Sequence, residues 1–175
     1  LDGGLRPITL VASIYRLWLK ARWDHLTHWE MSYKEQAFWD TALRGSSALR
    51  GTMRRALGDE LAKAKGEVAL TVFFDQEKFY DHMMWEDLVV KASDLGYPPR
   101  FLAIGAQVHL APAQIRLHGA LGPLIRVVRG ARAGCGQALQ FARMTLYNAA
   151  RDIYQRHVKV SIWTHVDDTP LRTQD

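Results

Sequence analysis

The nine residues EVALTVFFD (67–75) constrain the fold of this chain more than any other stretch. The run is short, almost continuously apolar and rich in β-branched and aromatic residues, which predicts a strand buried on both faces. Such a strand needs neighbours in a sheet and cover on each side. The run ends at Asp75, and a carboxylate at the end of an apolar strand is costly to desolvate unless it has a partner.

A second predicted strand ends at two adjacent carboxylates. From 158 to 166, every second residue is valine, isoleucine or threonine, the period of a strand with one buried face. It leads into Asp167 and Asp168, which repel each other unless they lie on a solvated turn or hold a cation. If the two strands are neighbours, Asp75 meets the pair, and converging carboxylates are the oxygen ligands that Mg²⁺ prefers. The residues alone leave open that each acid simply ends a strand.

The rest of the chain predicts an α+β fold. Strands and helices mix without strict alternation, and 175 residues that are 48% hydrophobic are enough to bury a core. Residues 113–130 predict a β-hairpin around a glycine-containing turn. Ser46 or Ser47 is a suitable N-cap for the third predicted helix. Apolar periodicity predicts helices over 10–22, 24–39, 46–65, 85–95, 100–110 and 137–156.

Charge is concentrated in one part of the sequence. The net charge is +5, and residues 98–160 hold nine basic residues and one acidic residue. This pattern favours a polyanionic partner such as nucleic acid, although an arginine-rich surface without such a partner gives the same pattern. The single cysteine, Cys135, excludes an internal disulfide. No apolar run is long enough for a transmembrane helix, so no membrane partner is expected.

Four segments, taken in order, resemble the reverse transcriptases, most closely those of non-LTR (LINE-like) retrotransposons. LRPITLVASIYRLWLKAR resembles the segment at the base of the fingers, and TVFFDQEKFYD resembles motif A. IRLHGALGPLIRVVRGARAGCGQAL resembles the hairpin that leads into motif B, and THVDD resembles motif C. The resemblance implies a polymerase palm, a small antiparallel sheet backed by helices, over 67–175. It also implies a partial helical fingers region over 1–66, with the thumb absent.

The resemblance implies a catalytic site for RNA-directed DNA synthesis. Asp75, Asp167 and Asp168 match the catalytic and metal-binding carboxylates of two-metal nucleotidyl transfer, with Mg²⁺, or Mn²⁺ in its place, as cofactor. The implied partners are an RNA template, a DNA primer and deoxynucleoside triphosphates. A nuclear site of action is suggested by the family, while no localisation signal is visible. The first methionine is Met31, so we expect the chain to be a piece of a longer polyprotein that includes a thumb and an endonuclease.

Further residues match nucleotide-binding and nucleic-acid-binding positions of that family. Tyr80, five residues after the motif A aspartate, matches the aromatic side chain that blocks a ribose 2′-hydroxyl. Arg6 and Arg16 match basic finger positions near the incoming triphosphate, and Gly134 matches the motif B glycine, where the backbone approaches the nucleotide. Three arginines around motif B are the expected contacts to nucleic acid: Arg126, Arg129 and Arg132.

The sequence departs from the family pattern at several points. Ala133 stands where the family has glutamine, with Gln137 four residues further on, and His165 replaces the motif C aromatic. Only seven residues follow Asp168, so the return strand of the motif C hairpin is expected to be barely begun, and Pro170 to weaken it. These departures leave open a catalytically inactive, degenerate copy that acts as a nucleic-acid-binding module.

Other functions have weaker support in the residues. An RNA-dependent RNA polymerase usually carries an acid where this chain has Tyr80. A hydrolase with Cys135 as nucleophile would need histidine partners in space, and a packing role is the simpler interpretation. A metal site at His25 and His28 lacks further ligands. Four tryptophans of the N-terminal region could stack on bases, but aromatic residues of amphipathic helices usually pack in the core, and we expect a core position for them: Trp18, Trp23, Trp29 and Trp39.

Overall fold

A computed structural model of the chain describes residues 9–166 and 168–174, and its architecture is α+β. The described residues form six α-helices, one 3₁₀-helix (Phe79–His82) and five strands. The helices are α1 (Ser13–Ala21), α2 (Trp23–Gln36), α3 (Ala48–Lys65), α4 (Trp85–Asp94), α5 (Pro99–Leu110) and α6 (Ala138–Arg156). The strands are β1 (Ala69–Phe74), β2 (Ala113–Leu117), β3 (Ala120–Ile125), β4 (Val160–Ile162) and β5 (Thr169–Gln174).

The chain divides into two compact units, each made from two stretches of sequence. The first unit is Leu1–Thr27 with Lys78–Phe141, and the second is His28–Glu77 with Ala142–Asp175. Helices α2 and α6 contribute residues to both. The predicted boundary between fingers and palm at residue 66 divides the chain by the family's functional regions and not by compact units, and it stays a prediction.

The first unit is built on helix packing around large apolar side chains. Trp85, Leu88 and Phe141 are almost fully buried. Gly105 allows α5 to lie close against the start of α6, because a Cβ there would be 2.8 Å from the Phe141 ring. The predicted hairpin is present as β2 and β3. Its two-residue turn has both central residues at positive φ, His118 at 48° and Gly119 at 86°, which matches the twist of the strands.

The second unit contains a three-stranded antiparallel sheet in the order β1-β5-β4. Ser47 is the N-cap of helix α3, and its Oγ accepts the backbone N–H of Arg50 at 3.0 Å; Gly66, in the left-handed conformation, is the C-cap. The helix is tied to the central strand by an ion pair, in which Arg172 Nε lies 2.9 Å from Asp59 Oδ1. A small antiparallel sheet backed by a helix is therefore present, as predicted.

Three expectations for the strands need correction. Strand β1 is not buried on both faces: it is an edge strand, and Leu70, Val72 and Phe73 are 59%, 43% and 63% exposed. The predicted strand over 158–166 is regular only over β4, and a turn begins at His165. The return strand is not barely begun: β5 is six residues long and central, and Pro170 is paired with Phe73 within it.

Candidate active site

The ends of β1 and β5 bring two of the three predicted catalytic aspartates to one end of the sheet. The last pair of the antiparallel ladder is Phe74 with Thr169. Asp75 directly follows β1 and Asp168 directly precedes β5, so continuing the register sets these two residues opposite each other. Both side chains are exposed. Asp167 lies outside the described residues, and its approach to Asp75 stays a prediction.

A tight turn precedes Asp168. The backbone N–H of His165 donates to the carbonyl of Asp168 at 2.8 Å, and the Asp168 N–H donates back to His165 O at 3.1 Å. Val166, inside this turn, has φ +62°, a left-handed conformation that β-branched residues rarely adopt. The turn therefore holds a strained backbone beside the predicted catalytic residues.

Thr41 forms hydrogen bonds with the segment that leads into this turn. Its backbone N–H and its Oγ1 both donate to Thr164 O, at 2.8 and 2.9 Å. The Thr41 Oγ1 also lies 3.2 Å from Nδ1 of His165. Because the hydroxyl has one proton and gives it to Thr164, the imidazole must be the donor in the second bond. His165, a departure from the family pattern, is thus fixed by a bond from Nδ1.

A buried ion-pair cluster supports the same segment and was missed from the sequence. Arg143 on α6 donates through Nε to Asp40 Oδ2 at 3.1 Å, through Nη2 to Ala42 O at 2.7 Å, and through Nη1 to Glu30. Burial raises the pKa of Asp40, and the charge of Arg143 opposes that rise. The available signal was an arginine inside the apolar run LQFARMTLY of a predicted core helix.

The loop that contains Tyr80 is fixed by backbone contacts in the first unit. Ala131 donates its N–H to Tyr80 O at 2.7 Å, and Gly130 donates to Met83 O at 2.8 Å. Gly130 has φ +87°, and a Cβ there would be 3.1 Å from the backbone of Tyr80 and Asp81. This glycine, which sequence reasoning did not single out, allows the segment before motif B to lie directly against the motif A loop. Tyr80 itself is half-buried.

The motif B residues divide into one exposed and one buried position. Gly134 is exposed and has φ +89°, a conformation that favours glycine. Gln137 is fully buried: its Oε1 accepts from Tyr15 Oη at 2.5 Å, and its Nε2 donates to Tyr97 Oη at 2.7 Å and Phe101 O at 3.1 Å. Because the Gln137 amide is engaged by other residues of the buried core, it is not available to take the role of the glutamine that the family has at the position of Ala133.

The predicted phosphate-binding arginines have different surroundings. Arg16, Arg126 and Arg129 are exposed, and Arg16 bonds to Ser13 Oγ at 3.2 Å. Arg132 is half-buried, and its guanidinium donates to Ala111 O at the end of α5. Arg132 therefore has a structural contact in addition to any contact with nucleic acid. Arg6 lies outside the described residues.

The weaker alternatives gain no support from the structure. Cys135 is buried, with Sγ 3.4 Å from the Tyr15 hydroxyl, which is a packing environment. His25 and His28 are each exposed. Across residues 9–166 and 168–174, no group of three or more histidine, cysteine or acidic side chains is arranged to hold a metal ion. None of the described helices combines the length and hydropathy that crossing a bilayer requires.

Comparisons with known proteins give matches to the fold of this chain only among solved structures. Neither the protein-family models nor the curated proteins contain a match. Among solved structures, the chain is similar to telomerase from Candida albicans in complex with a TWJ fragment of telomeric RNA, with a TM-score of 0.59 and 14% identity over 85% of this chain and 29% of that one. It is also similar to apo telomerase from Candida tropicalis truncated from its C-terminal domain, with a TM-score of 0.63 and 12% identity over 91% and 36%.

These similarities concern the fold. The chain spans about a third of the length of the two telomerase chains. Telomerase is a reverse transcriptase-related polymerase, so the α+β fold predicted from the sequence is confirmed as reverse transcriptase-like. At 12–14% identity the similarity does not extend to an activity or to a particular branch of the family.

Proposed function

We propose that this chain is the palm and part of the fingers of an RNA-directed DNA polymerase of the non-LTR retrotransposon type. The observation that carries the proposal is the β1–β5 register, which sets Asp75 and Asp168 at one end of the sheet. The strand predicted before Asp167 is β4, and it is not the direct neighbour of β1, because β5 lies between them; the support comes from β5, which begins directly after Asp168 and pairs with β1. The order of the four family-like segments supports the retrotransposon type.

The donor chemistry at this end of the sheet fits Mg²⁺. Asp75 and Asp168 are exposed carboxylates, and neither forms a salt bridge with another described residue. Together with Asp167 they would supply the hard oxygen ligands that Mg²⁺ or Mn²⁺ takes. When bound, such ions promote deprotonation of a primer 3′-hydroxyl and neutralise the charge of a triphosphate.

The chain's own residues would bind and orient the substrates. The backbone carbonyl of Tyr80 accepts a hydrogen bond from Ala131, which positions the residue. Its ring would exclude a ribose 2′-hydroxyl and so select deoxynucleotides. Arg16, with Arg6, would bind the triphosphate. The exposed Arg126 and Arg129 would bind template or primer phosphates, where each charge contributes a salt-dependent part of the affinity.

Primer extension tests the proposal. The template is poly(rA) with an oligo(dT) primer, supplied with dTTP and Mg²⁺ or Mn²⁺, and the proteins are this chain and a version extended by a thumb. Asp75→Asn, Asp167→Asn and Asp168→Asn are compared with Asp94→Asn, an exposed acid on α4. We expect synthesis that is lost in the first two variants, strongly reduced in the third and unchanged in the control.

A second readout separates metal binding from chemistry. Paramagnetic broadening by Mn²⁺ should affect the amides around Asp75 and Asp168 in the wild type and disappear in Asp75→Asn. A folded protein that binds nucleic acid, shows neither synthesis nor specific broadening, and is unchanged by the aspartate substitutions would contradict the proposal. That result would establish the nucleic-acid-binding module instead.

A further inference from the structure

A cavity of about 290 Å³ lies in the second unit between α3 and one face of the three-stranded sheet. Its walls come from the first two turns of α3, from the sheet, and from the segment that ends at the Asp168 turn. The lining includes His165 and the predicted catalytic Asp168, but none of the predicted nucleotide-binding positions. The volume is at the lower end of the range for ligand sites, so it suits one small ring system rather than a drug-sized molecule.

The floor of the cavity is a row of flat apolar side chains. Phe73 on β1 is paired with Pro170 on β5, and the N–H of Trp163 donates to Pro170 O at 3.2 Å on the other side. In an antiparallel sheet, directly opposed residues point to the same face. Phe73, Pro170 and Trp163 therefore form one continuous strip across the sheet, and a planar ring can stack on it.

The roof is made of small side chains of α3. Ala48, Gly51 and Thr52 recur at the three- and four-residue spacing of one helix face, and they line the cavity together with Arg55 one turn later. Larger residues on this face would fill the space above the strip. Gly51 also lies close to the Thr41 side chain, where an added Cβ would be 3.3 Å from Cγ2.

Arg55 supplies an unused hydrogen-bond donor at the cavity. Its guanidinium carbon lies 4.9 Å from the centroid of the Phe73 ring, so the group is held over the floor by a cation–π contact. Its Nε is buried and has no hydrogen-bond partner among the described residues. A buried donor without an acceptor is unfavourable, and a ligand that brings an acceptor atom to this point would remove that cost.

We propose that this cavity binds a single nucleobase, stacked on Pro170 and Trp163 beside the Arg55–Phe73 pair, with a carbonyl oxygen or ring nitrogen accepting from Arg55 Nε. A nucleobase is planar, has the required size and carries acceptors on its edge. Stacking on aromatic side chains is the general way in which proteins hold unpaired bases. The base comes either from a free nucleoside or from an unpaired position of a strand. Asp168 also lines the cavity, but it makes none of the proposed contacts with the base, so the proposal is tested by binding and not by polymerase activity.

Binding of uridine and of a four-residue oligouridylate to the intact chain tests the proposal, by isothermal titration and by saturation-transfer NMR. Arg55→Met removes the donor and keeps the length of the side chain, and its matched control is Arg54→Met on the exposed side of the same turn. Phe73→Leu removes the ring that holds the Arg55 guanidinium in place, at a side chain that is 63% exposed, so the fold should tolerate it. Urea unfolding of each variant verifies that it is folded.

The expected result is binding that weakens about tenfold in Arg55→Met and at least about fivefold in Phe73→Leu, with Arg54→Met within about twofold of wild type. Binding of uridine identifies a nucleoside site, and binding of the oligouridylate alone identifies a site for a base within a strand. Either supports the proposal when it shows this pattern of losses. Absence of binding by both probes overturns it. Oligonucleotide binding that is equally strong in Arg55→Met and Phe73→Leu also overturns it, because the strand is then bound elsewhere on the basic surface.

Discussion

The Nε atom of Arg143 lies 3.1 Å from Oδ2 of Asp40, in an ion pair whose side chains are only 4% and 3% exposed. The pair joins α6 to a segment that comes 103 residues earlier. That segment continues into Thr41, whose backbone N–H is hydrogen-bonded to Thr164 O, just before the turn formed by His165 and Asp168. A structural pair in the core therefore supports the segment that leads from Thr164 toward Asp168.

Removing Arg143 should destabilise the chain strongly. In Arg143→Met, Asp40 remains buried with its charge unpaired, and Glu30 loses its partner, so we expect a loss of about 3–5 kcal/mol in the free energy of unfolding. Arg156→Met, on the same helix with a side chain 76% exposed, should change it by less than about 0.5 kcal/mol. Urea denaturation measures both. Similar small losses in the two variants would show that the buried pair does not hold this segment.

A second prediction concerns His109 and acid pH. Burial, followed by the nearby charge of Arg132, lowers the pKa of His109 to about 4 from its ordinary value near 6.5. Between these values the unfolded chain binds more protons than the folded one. The contribution to stability is therefore complete above pH 6.5 and falls as the pH drops toward 4, by about 3 kcal/mol in total.

The acid effect can be assigned to His109 by substitution. His109→Asn keeps an acceptor for the Arg132 N–H, which lies 2.7 Å from Nδ1, but removes the titrating group. Its free energy of unfolding at pH 7.5 should be lower than wild type, and its further loss down to pH 4.5 should be smaller. His118→Asn, at an exposed turn residue with φ 48°, should keep the wild-type pH dependence. If wild type and His109→Asn lose stability in parallel, His109 is not the group responsible.

Much of the fold followed from local patterns. The helices end within a few residues of their predicted limits because caps and glycines, such as Ser47 and Gly66, act within one turn. The hairpin was predictable because His118 and Gly119 suit a two-residue turn. The strand order was not predicted: β1 was expected beside the strand before Asp167, but β5 lies between β1 and β4. The pairing of Phe74 with Thr169 joins residues far apart in the chain, so local patterns do not reveal it.

The features that were not predicted from the sequence all depend on tertiary contacts. The apolar composition of 67–75 predicted burial on both faces, but composition does not reveal that β1 is an edge strand. Arg143 was counted as part of a basic surface because an arginine whose partners are Glu30 and Asp40 resembles any other arginine in a one-dimensional pattern. The contact of Gly130 with the Tyr80 loop was hidden for the same reason.

Two glycines with nearly the same backbone angle allow a direct test of that contact. Gly130 and Gly119 have φ +87° and +86°, but a Cβ at Gly119 would meet nothing within 4 Å, whereas at Gly130 it would be 3.1 Å from backbone atoms. We expect Gly119→Ala to cost about 1 kcal/mol through φ alone. Gly130→Ala should cost about 1–3 kcal/mol more, because the Tyr80 backbone must move. Equal losses in thermal unfolding would mean that close approach at Gly130 adds nothing.

The turn at Val166 should gain stability when its strain is removed. A valine at φ +62° costs of order 1–3 kcal/mol, while a glycine there adopts the angle freely and loses about 0.5–1 kcal/mol through the greater entropy of its unfolded state. Val166→Gly should therefore raise the free energy of unfolding by about 1 kcal/mol in guanidinium titrations. Val158→Gly, at a side chain 92% exposed and without positive φ, carries the same entropy loss without the relief and should be slightly destabilising. A Val166→Gly protein no more stable than Val158→Gly would show that the backbone at Val166 is relaxed.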